Sequence, residues 1–496
     1  MKILVTGGTG VIGAGVIPEL LSRGHHVRLL SRHADEDARR WKTVEAIAGD
    51  VSDATSLRGT AATCDAIVHI AGIAVEHPPE VTFEKVNVEG TRNILAEAER
   101  SSVRRFIHVS SLGADKGTSD YHRSKFAAEQ IVAQSNLEWT ILRPGGVYGP
   151  GDEVISNLIK MVRALPAVPV VDDGEQPFQP VWFEDLAKAI AVIAEGDALL
   201  RETVEIAGRE VTNLNDVIRK IGALTDRSPL RLRVPMPLAS IAANIASKAI
   251  DMPFDETKLT MLREKNVLSD PSSDPLGRLG IEPTALDVGL ARLADEMPEK
   301  LPEDGIGAMH HKHFHGDITG SQYTATSLMT LFRERVNDMM PIEFASEPGA
   351  PTKIEPGITM TGSLPLRGHF QIRVEVVEPA RVVFATVEGH PLAGIVEFRT
   401  EDRGSAVRFA IDVFTRAGTI LDFVAERTVG GLAQSATWRA VVQNVIDASG
   451  GSSDGVHSES KALSDDEAEA VEKRVKSMVQ RRQRGESPDA ERPAQR

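Results

Sequence analysis

A single cysteine, Cys64, stands among 496 residues, so neither an intrachain disulfide framework nor a cysteine metal cluster can form. That scarcity fits a reducing compartment. Long hydrophobic runs are also missing: the nearest approach, Met236 to Ile250, is short and broken by Asn244 and Lys248, which excludes a transmembrane segment there. Basic residues are outnumbered, 56 against 71 acidic, and the resulting net charge of -15 opposes a nucleic-acid partner, whose phosphates most of this surface would repel. Met1 and Lys2 run straight into the apolar Ile3 to Val5 without an intervening signal peptide, so the expected location is cytoplasmic. What remains is ordinary globular composition, 41% hydrophobic and 26% charged, on a chain too long for one core. Two or three units are expected.

The opening supplies the strongest local pattern. Ile3 to Val5 reads as a buried strand, Gly7, Gly10 and Gly13 follow in a G-x-x-G-x-x-G frame, and Ala14 to Arg23 reads as a helix. Glycines so placed permit a tight turn and close backbone approach to a pyrophosphate, which then meets the helix N-terminus. Thr9, Val11 and Ile12 complete that turn. A second strand, His26 to Leu30, ends at Ser31-Arg32 where an NAD-binding chain would carry an acid. A hydroxyl and a guanidinium there suit a 2′-phosphate, so NADP is expected in preference to NAD. Asp50 and Val51 close a third strand, where the carboxylate can accept from an adenine amino group. Ala71 and Gly72, after the strand Ala66 to Ile70, are small enough to let a cofactor pass. Together these imply a doubly wound α/β fold.

A fifth strand, Arg105 to Val109, runs into Ser110-Ser111, and a helix from Tyr121 to about Gln134 begins with Tyr121-His-Arg-Ser-Lys125. Positions i and i+4 share a helix face, so Tyr121 and Lys125 can enter one site. A neighbouring ammonium favours the phenolate and so makes the tyrosine a usable acid or base; Ser111 could bind the substrate oxygen. With Thr6-Gly-Gly-Thr-Gly-Val-Ile-Gly13, Gly49-Asp-Val51, Val109-Ser-Ser111, Tyr121-x-x-x-Lys125 and Arg143-Pro-Gly-Gly-Val-Tyr-Gly149, the chain resembles the extended and atypical short-chain dehydrogenases/reductases over residues 1 to 300. The resemblance implies a Rossmann domain with a small substrate lobe, catalysis by Ser111, Tyr121 and Lys125, a supporting helix contact from Asn87, and a nicotinamide side at Pro144-Gly145. It also implies Lys125 on the nicotinamide ribose, and a homodimer. The short interval between Ser111 and Tyr121 is similar to the branch containing the nucleotide-binding accessory subunit of respiratory complex I, some of whose members bind cofactor without turnover.

Pro283 to Gly307 reads as a linker. A helix at Leu328 to Asn337, strand patterns from Gly357 to Val413 and a helix from Ser435 to Ala448 then describe an α+β unit over residues 301 to 450. That element order resembles the antiparallel helix-grip, START-like fold and implies an apolar ligand, against an interaction module with a filled core. His310 to His315 reads as a polar strand or linker and not as a metal site, since it has no cysteine and only Asp317 close by. Residues 451 to 496 read as a charged, disordered tail in which Asp465 to Arg482 could form a transient or partner-dependent charged helix. The expected function is an NADP(H)-dependent oxidoreductase acting on a carbonyl or alcohol of a small molecule. The alternatives are a cofactor-retaining epimerase or dehydratase, and a non-catalytic NAD(P)-binding scaffold or sensor.

Overall fold

The structure, a computed structural model, describes residues 1–41, 43–235, 265–341, 343–344, 347–364, 368–418 and 431–483. The apolar stretch Met236 to Ile250 lies outside them. The chain divides into two compact units, one of Met1–Ile159, Val168–Ile221 and Leu230–Ala294, the other of Lys160–Ala167, Gly222–Pro229 and Asp295–Arg496.

In the first unit, strands β1 (Lys2–Thr6), β2 (His26–Ser31), β3 (Glu45–Ala48), β4 (Ala66–His69), β5 (Arg105–Val109) and β6 (Glu138–Pro144) alternate with helices. The short strands β7 (Val147–Tyr148), β8 (Ala167–Val171), β9 (Val181–Trp182), β10 (Thr203–Ile206) and β11 (Leu230–Val234) follow. The main sheet has the order β10-β6-β5-β4-β1-β2-β3 and is parallel throughout. Strand alternation builds two cores. Ile3 and Val5 pack with Val16, Ile17, Leu20 and Ile190 on one face, while Leu4, Ile67 and Phe106 meet Ile94, Leu95 and Val132 on the other. Because the strand order reverses direction at β1, flanked by β2 and β4, the crevice beyond their carboxyl ends is where such a sheet takes a ligand.

Two expectations need correction. Within the supposed linker, Leu286–Asp295 is a helix whose Leu286, Leu290 and Leu293 are buried; their i, i+4, i+7 spacing forms an apolar stripe that outweighs the flanking prolines. The supposed tail is also structured over much of its length, as shown below.

The second unit contains one antiparallel sheet. Its strands are β12 (Ile306–Thr319), β13 (Glu343–Phe344), β14 (Thr359–Leu364), β15 (Gly368–Glu378), β16 (Arg381–Thr386), β17 (Leu392–Arg403), β18 (Ala406–Ala417) and β19 (His457–Ala462). Their order is β13-β14-β15-β16-β17-β18-β12-β19. The helix Gly431–Ala448 lies on one face, with Val441, Val442, Val445 and Ile446 joining Phe314, Phe332, Phe398 and Phe409 in a single core. In the presumed tail, β19 pairs with β12, and Asp465–Gln483 forms a helix whose Val475 and Val479 pack with Val376, Val383 and Ile395. Strand pairing requires backbone groups and not apolar side chains, and two valines one helical turn apart suffice to dock a charged helix. That is why composition pointed to disorder.

Candidate functional site

The glycine turn is built by close packing. Gly7 has φ +71°, and a Cβ on it would lie 2.6 Å from Ala71 N; a Cβ on Gly13 would lie 2.3 Å from Gly8 Cα. The turn therefore joins β1 to the chain leaving β4 and seats the helix Val11–Ser22 on both. Gly10 caps that helix without a side-chain hydrogen bond, and no acidic residue occupies its first turn. Thr9 and Gly10 are exposed, and Val11 and Ile12 are half-buried. The helix thus presents its positive end without a built-in anion, which fits a diphosphate.

At the end of β2, Arg32 is exposed. Ser31 is engaged internally: its Oγ accepts from His33 N at 2.9 Å and donates to the Asp37 carboxylate. Asp37 is therefore an acid near the position where the sequence pattern shows none, brought back by the helix Ala34–Arg40. Asp50 Oδ1 accepts from Ser52 N at 2.8 Å and from Ser52 Oγ at 2.7 Å, while Val51 is buried and its carbonyl accepts from Asn93 Nδ2 at 2.9 Å. Ala71 N donates to Thr6 Oγ1 at 3.1 Å.

Ser111, Tyr121 and Lys125 converge. Ser119 caps the helix Asp120–Gln134, accepting from His122 N at 3.2 Å, and so fixes where Tyr121 enters. Burial raises the Tyr121 phenol above its ordinary value, and a hydrogen bond with Ser111 opposes that rise. Lys125, 5% exposed, donates to Val109 O at 2.7 Å, and burial pushes its ammonium down to about 8 against the opposing charge of Glu129. A Cβ on Gly72 would lie 3.5 Å from Lys125 Nζ and 3.2 Å from Asn87 Oδ1, so Gly72 lies against both side chains and a larger residue would crowd Asn87. Asn87 sits in the π-helical turn Glu84–Glu89, donates to Ser124 Oγ at 2.9 Å and accepts from Ile73 N at 2.8 Å, tying helix to helix beneath the site. Pro144 O accepts from Leu112 N at 2.8 Å and Gly145 N donates to Ile206 O at 2.8 Å, so these two residues brace the end of β6 beside Ser111.

A buried support lies behind these groups. Arg143 donates to both oxygens of Glu129, at 2.9 and 2.6 Å, and pairs with Asp115 at 2.8 Å; Ser110 Oγ also reaches Glu129 at 2.5 Å. Glu129 lies four residues beyond Lys125, on the same helix face. His69 stacks on His108 at 5.4 Å and bridges Thr6 and Thr91 at 2.8 and 3.1 Å. Burial and then the Lys125 charge push His69 down to about 3, so it is neutral. Spacing along the strand end and helix leads to Ser111, Tyr121 and Lys125. Glu129 and the two histidines give no such signal, because each reads as one polar residue in an amphipathic or apolar segment.

Residues 3–207 match the model of the NAD dependent epimerase/dehydratase family. Among similar proteins are a ceramide reductase of Caulobacter vibrioides, 29% identical over 47% of this chain and 74% of that protein, and sterol demethylase protein B of Methylococcus capsulatus, 34% identical over 31% and 53%. The alpha subcomplex subunit 9 of the mitochondrial NADH dehydrogenase of Arabidopsis thaliana is 25% identical over 53% and 69%. Among solved structures, the Thermus thermophilus UDP-glucose 4-epimerase complex with NAD is 20% identical, with a TM-score of 0.46 over 59% of this chain and 98% of that one. No helix among the described residues is long and apolar enough to cross a membrane.

Proposed function

We propose that the first unit, whose residues 3–207 match the model of the NAD dependent epimerase/dehydratase family, reduces a carbonyl, or oxidises the corresponding alcohol, of an apolar small molecule. The observation that carries this reading is the hydrogen bond of Tyr121 with Ser111, one helical turn from a buried Lys125 whose ammonium reaches Val109 O at the end of β5. The dinucleotide, when bound, would supply or take the hydride. Tyr121 passes the proton to or from the substrate oxygen, Ser111 holds that oxygen, and Lys125 steadies the phenolate and meets the nicotinamide ribose. The names of the ceramide reductase and sterol demethylase relatives support a lipid-like alcohol or carbonyl as the substrate class. NADP preference rests on Arg32, with Asp37 as the opposing charge that a 2′-phosphate would have to overcome.

The test is turnover of hydroxysteroid and long-chain ketone panels, followed by nicotinamide absorbance, in wild type and Tyr121→Phe. General acid–base catalysis predicts a loss of roughly 10²-fold or more in kcat with dinucleotide affinity unchanged. Equal activity in both proteins would reject the assignment. A second reading is a nucleotide-binding scaffold, favoured by the similarity to a respiratory-complex subunit; it predicts binding without turnover in either protein.

For the second unit, the order strand, two helices, antiparallel strands and long helix supports a helix-grip arrangement. Phe332 lies 4.7 Å from Phe398 and 5.2 Å from Phe409, with Trp438 6.1 Å from Phe398. Rings so packed favour a filled interaction module over a ligand cavity.

A further inference from the structure

The outer face of the second unit's sheet carries a convergence of side chains that the dinucleotide site does not use. Strand β12 alternates, so Lys312, Phe314 and Ile318 are buried while His311, His313 and His315 share the opposite face. Asp412 of β18 stands directly across from His313, and Phe414 across from His311. His311 Nε2 and His313 Nδ1 lie 2.8 and 2.9 Å from the same oxygen, Asp412 Oδ1, and the three groups' ligand atoms all fall within 4.8 Å of one another. The charge of Arg399 holds the other oxygen, Oδ2. The two oxygens are thereby divided, Oδ1 to the imidazoles and Oδ2 to the guanidinium. Asp412 is nearly buried and cannot swing away, and the His311 ring lies flat on Phe414, 4.3 Å between centroids and 6° from parallel. Both rings and the carboxylate are therefore oriented before any ligand arrives.

Each imidazole contact to Oδ1 requires a proton on the ring nitrogen. A metal ion at the convergence point would replace those protons, since neutral imidazole and carboxylate are both first-row metal ligands. Ligand bonds of about 2.0–2.1 Å separate tetrahedral ligand atoms by about 3.3 Å, so the two imidazole–Oδ1 separations need widen by only about half an ångström. The nearby arginines would oppose a cation if their charge were free. It is not: Arg399 is shared between Asp412 Oδ2 and Glu397, while Arg381 pairs with Glu397, Arg403 with Glu401 and Arg408 with Asp317. His313 also borders a cavity of about 370 Å³ lined by Arg399, Arg403 and Arg408, which leaves room for water or an anionic co-ligand on the open side. Sequence alone offered the histidines only Asp317; strand pairing supplies Asp412, 99 residues from His313.

We propose that His311, His313 and Asp412 bind one divalent first-row transition ion on the outer face of the C-terminal sheet, with its remaining positions open toward the arginine-lined cavity. The experiment is equilibrium dialysis of the tag-free full chain against cobalt(II) alone, read by metal content and visible absorption. Wild type should take up one ion per chain. His311→Gln and His313→Gln should each weaken uptake at least roughly tenfold, and His315→Gln by less than about twofold. No saturable uptake by wild type, or equal losses at His311 and His315, overturns the proposal, the latter because it marks chelation by any histidine-rich strand. Thermal melts of every variant guard against misfolding, and a wild-type Tm that does not rise with cobalt also overturns it.

Discussion

Two glycines in the same turn should fail in opposite ways when replaced by alanine. A Cβ on Gly13 would lie 2.3 Å from Gly8 Cα and 2.5 Å from Gly7 O, both backbone atoms with no rotamer to move aside. Carbon–carbon contacts are comfortable only at about 3.5–4.0 Å, so helix and turn must separate by roughly an ångström, at a cost of about 1–3 kcal/mol. In a unit of this size that lowers Tm by about 2–4 °C per kcal/mol. Gly10 is different. Its backbone is extended at φ -78°, and the one atom within 4 Å of its Cβ is Gly7 O at 3.7 Å, an ordinary contact. Gly10→Ala should therefore leave stability within about 0.5 kcal/mol of wild type. Its methyl would still stand at the helix mouth where a diphosphate must approach, so dinucleotide affinity should fall at least about tenfold, or roughly 1.4 kcal/mol. Circular-dichroism melts and dinucleotide fluorescence titrations separate the two effects. A Gly13→Ala protein as stable as wild type, or a Gly10→Ala protein that binds as tightly, would refute the close-packed phosphate turn.

Two further predictions concern pH. In the proposed mechanism the Lys125 ammonium, pushed down to about 8 by burial, is the form that would steady the phenolate, so kcat/KM should decline as pH rises through about 8, and a profile flat to high pH would exclude that role. Burial raises the Glu375 carboxyl to about 7, with Arg482 opposing and Glu299 reinforcing the rise. Its folded value thus exceeds its unfolded one, so its stabilising contribution is complete below the ordinary carboxylate range and is lost as pH rises toward 7, on the order of 1 kcal/mol per pH unit. Denaturant melts across that window should show the slope in wild type and lose it in Glu375→Gln; an unchanged slope would contradict the assignment.

The N-terminal fold was legible because its signals are local: three glycines between a strand and a helix, and a tyrosine one helical turn from a lysine. Groups that meet across the sheet were not. Glu129 and Arg143 are buried partners 14 residues apart, and neither carries a pattern of its own. Asp37 returns to Ser31 only because a short helix folds back over the strand end. In the second unit, Met360, Phe370, Phe384, Phe398 and Phe409 mark their strands, whereas the polarity of His310 to His315 indicated only a short strand or linker and not the full 14-residue β12 with its core residues Phe314 and Ile318. The polar strand β19 escaped because its pairing with β12 is a long-range event that composition does not encode, and the charged helix after it, expected only as transient, is docked through Val475 and Val479.

The most direct test of the account is equilibrium titration of the wild-type chain, and of Arg32→Ala, with NADPH and NADH. Saturable binding of one dinucleotide per chain is predicted, tighter for NADPH in wild type and nearly equal for the two in the variant. Failure of both dinucleotides to bind wild type would contradict the central claim that the amides after Gly10 receive a diphosphate.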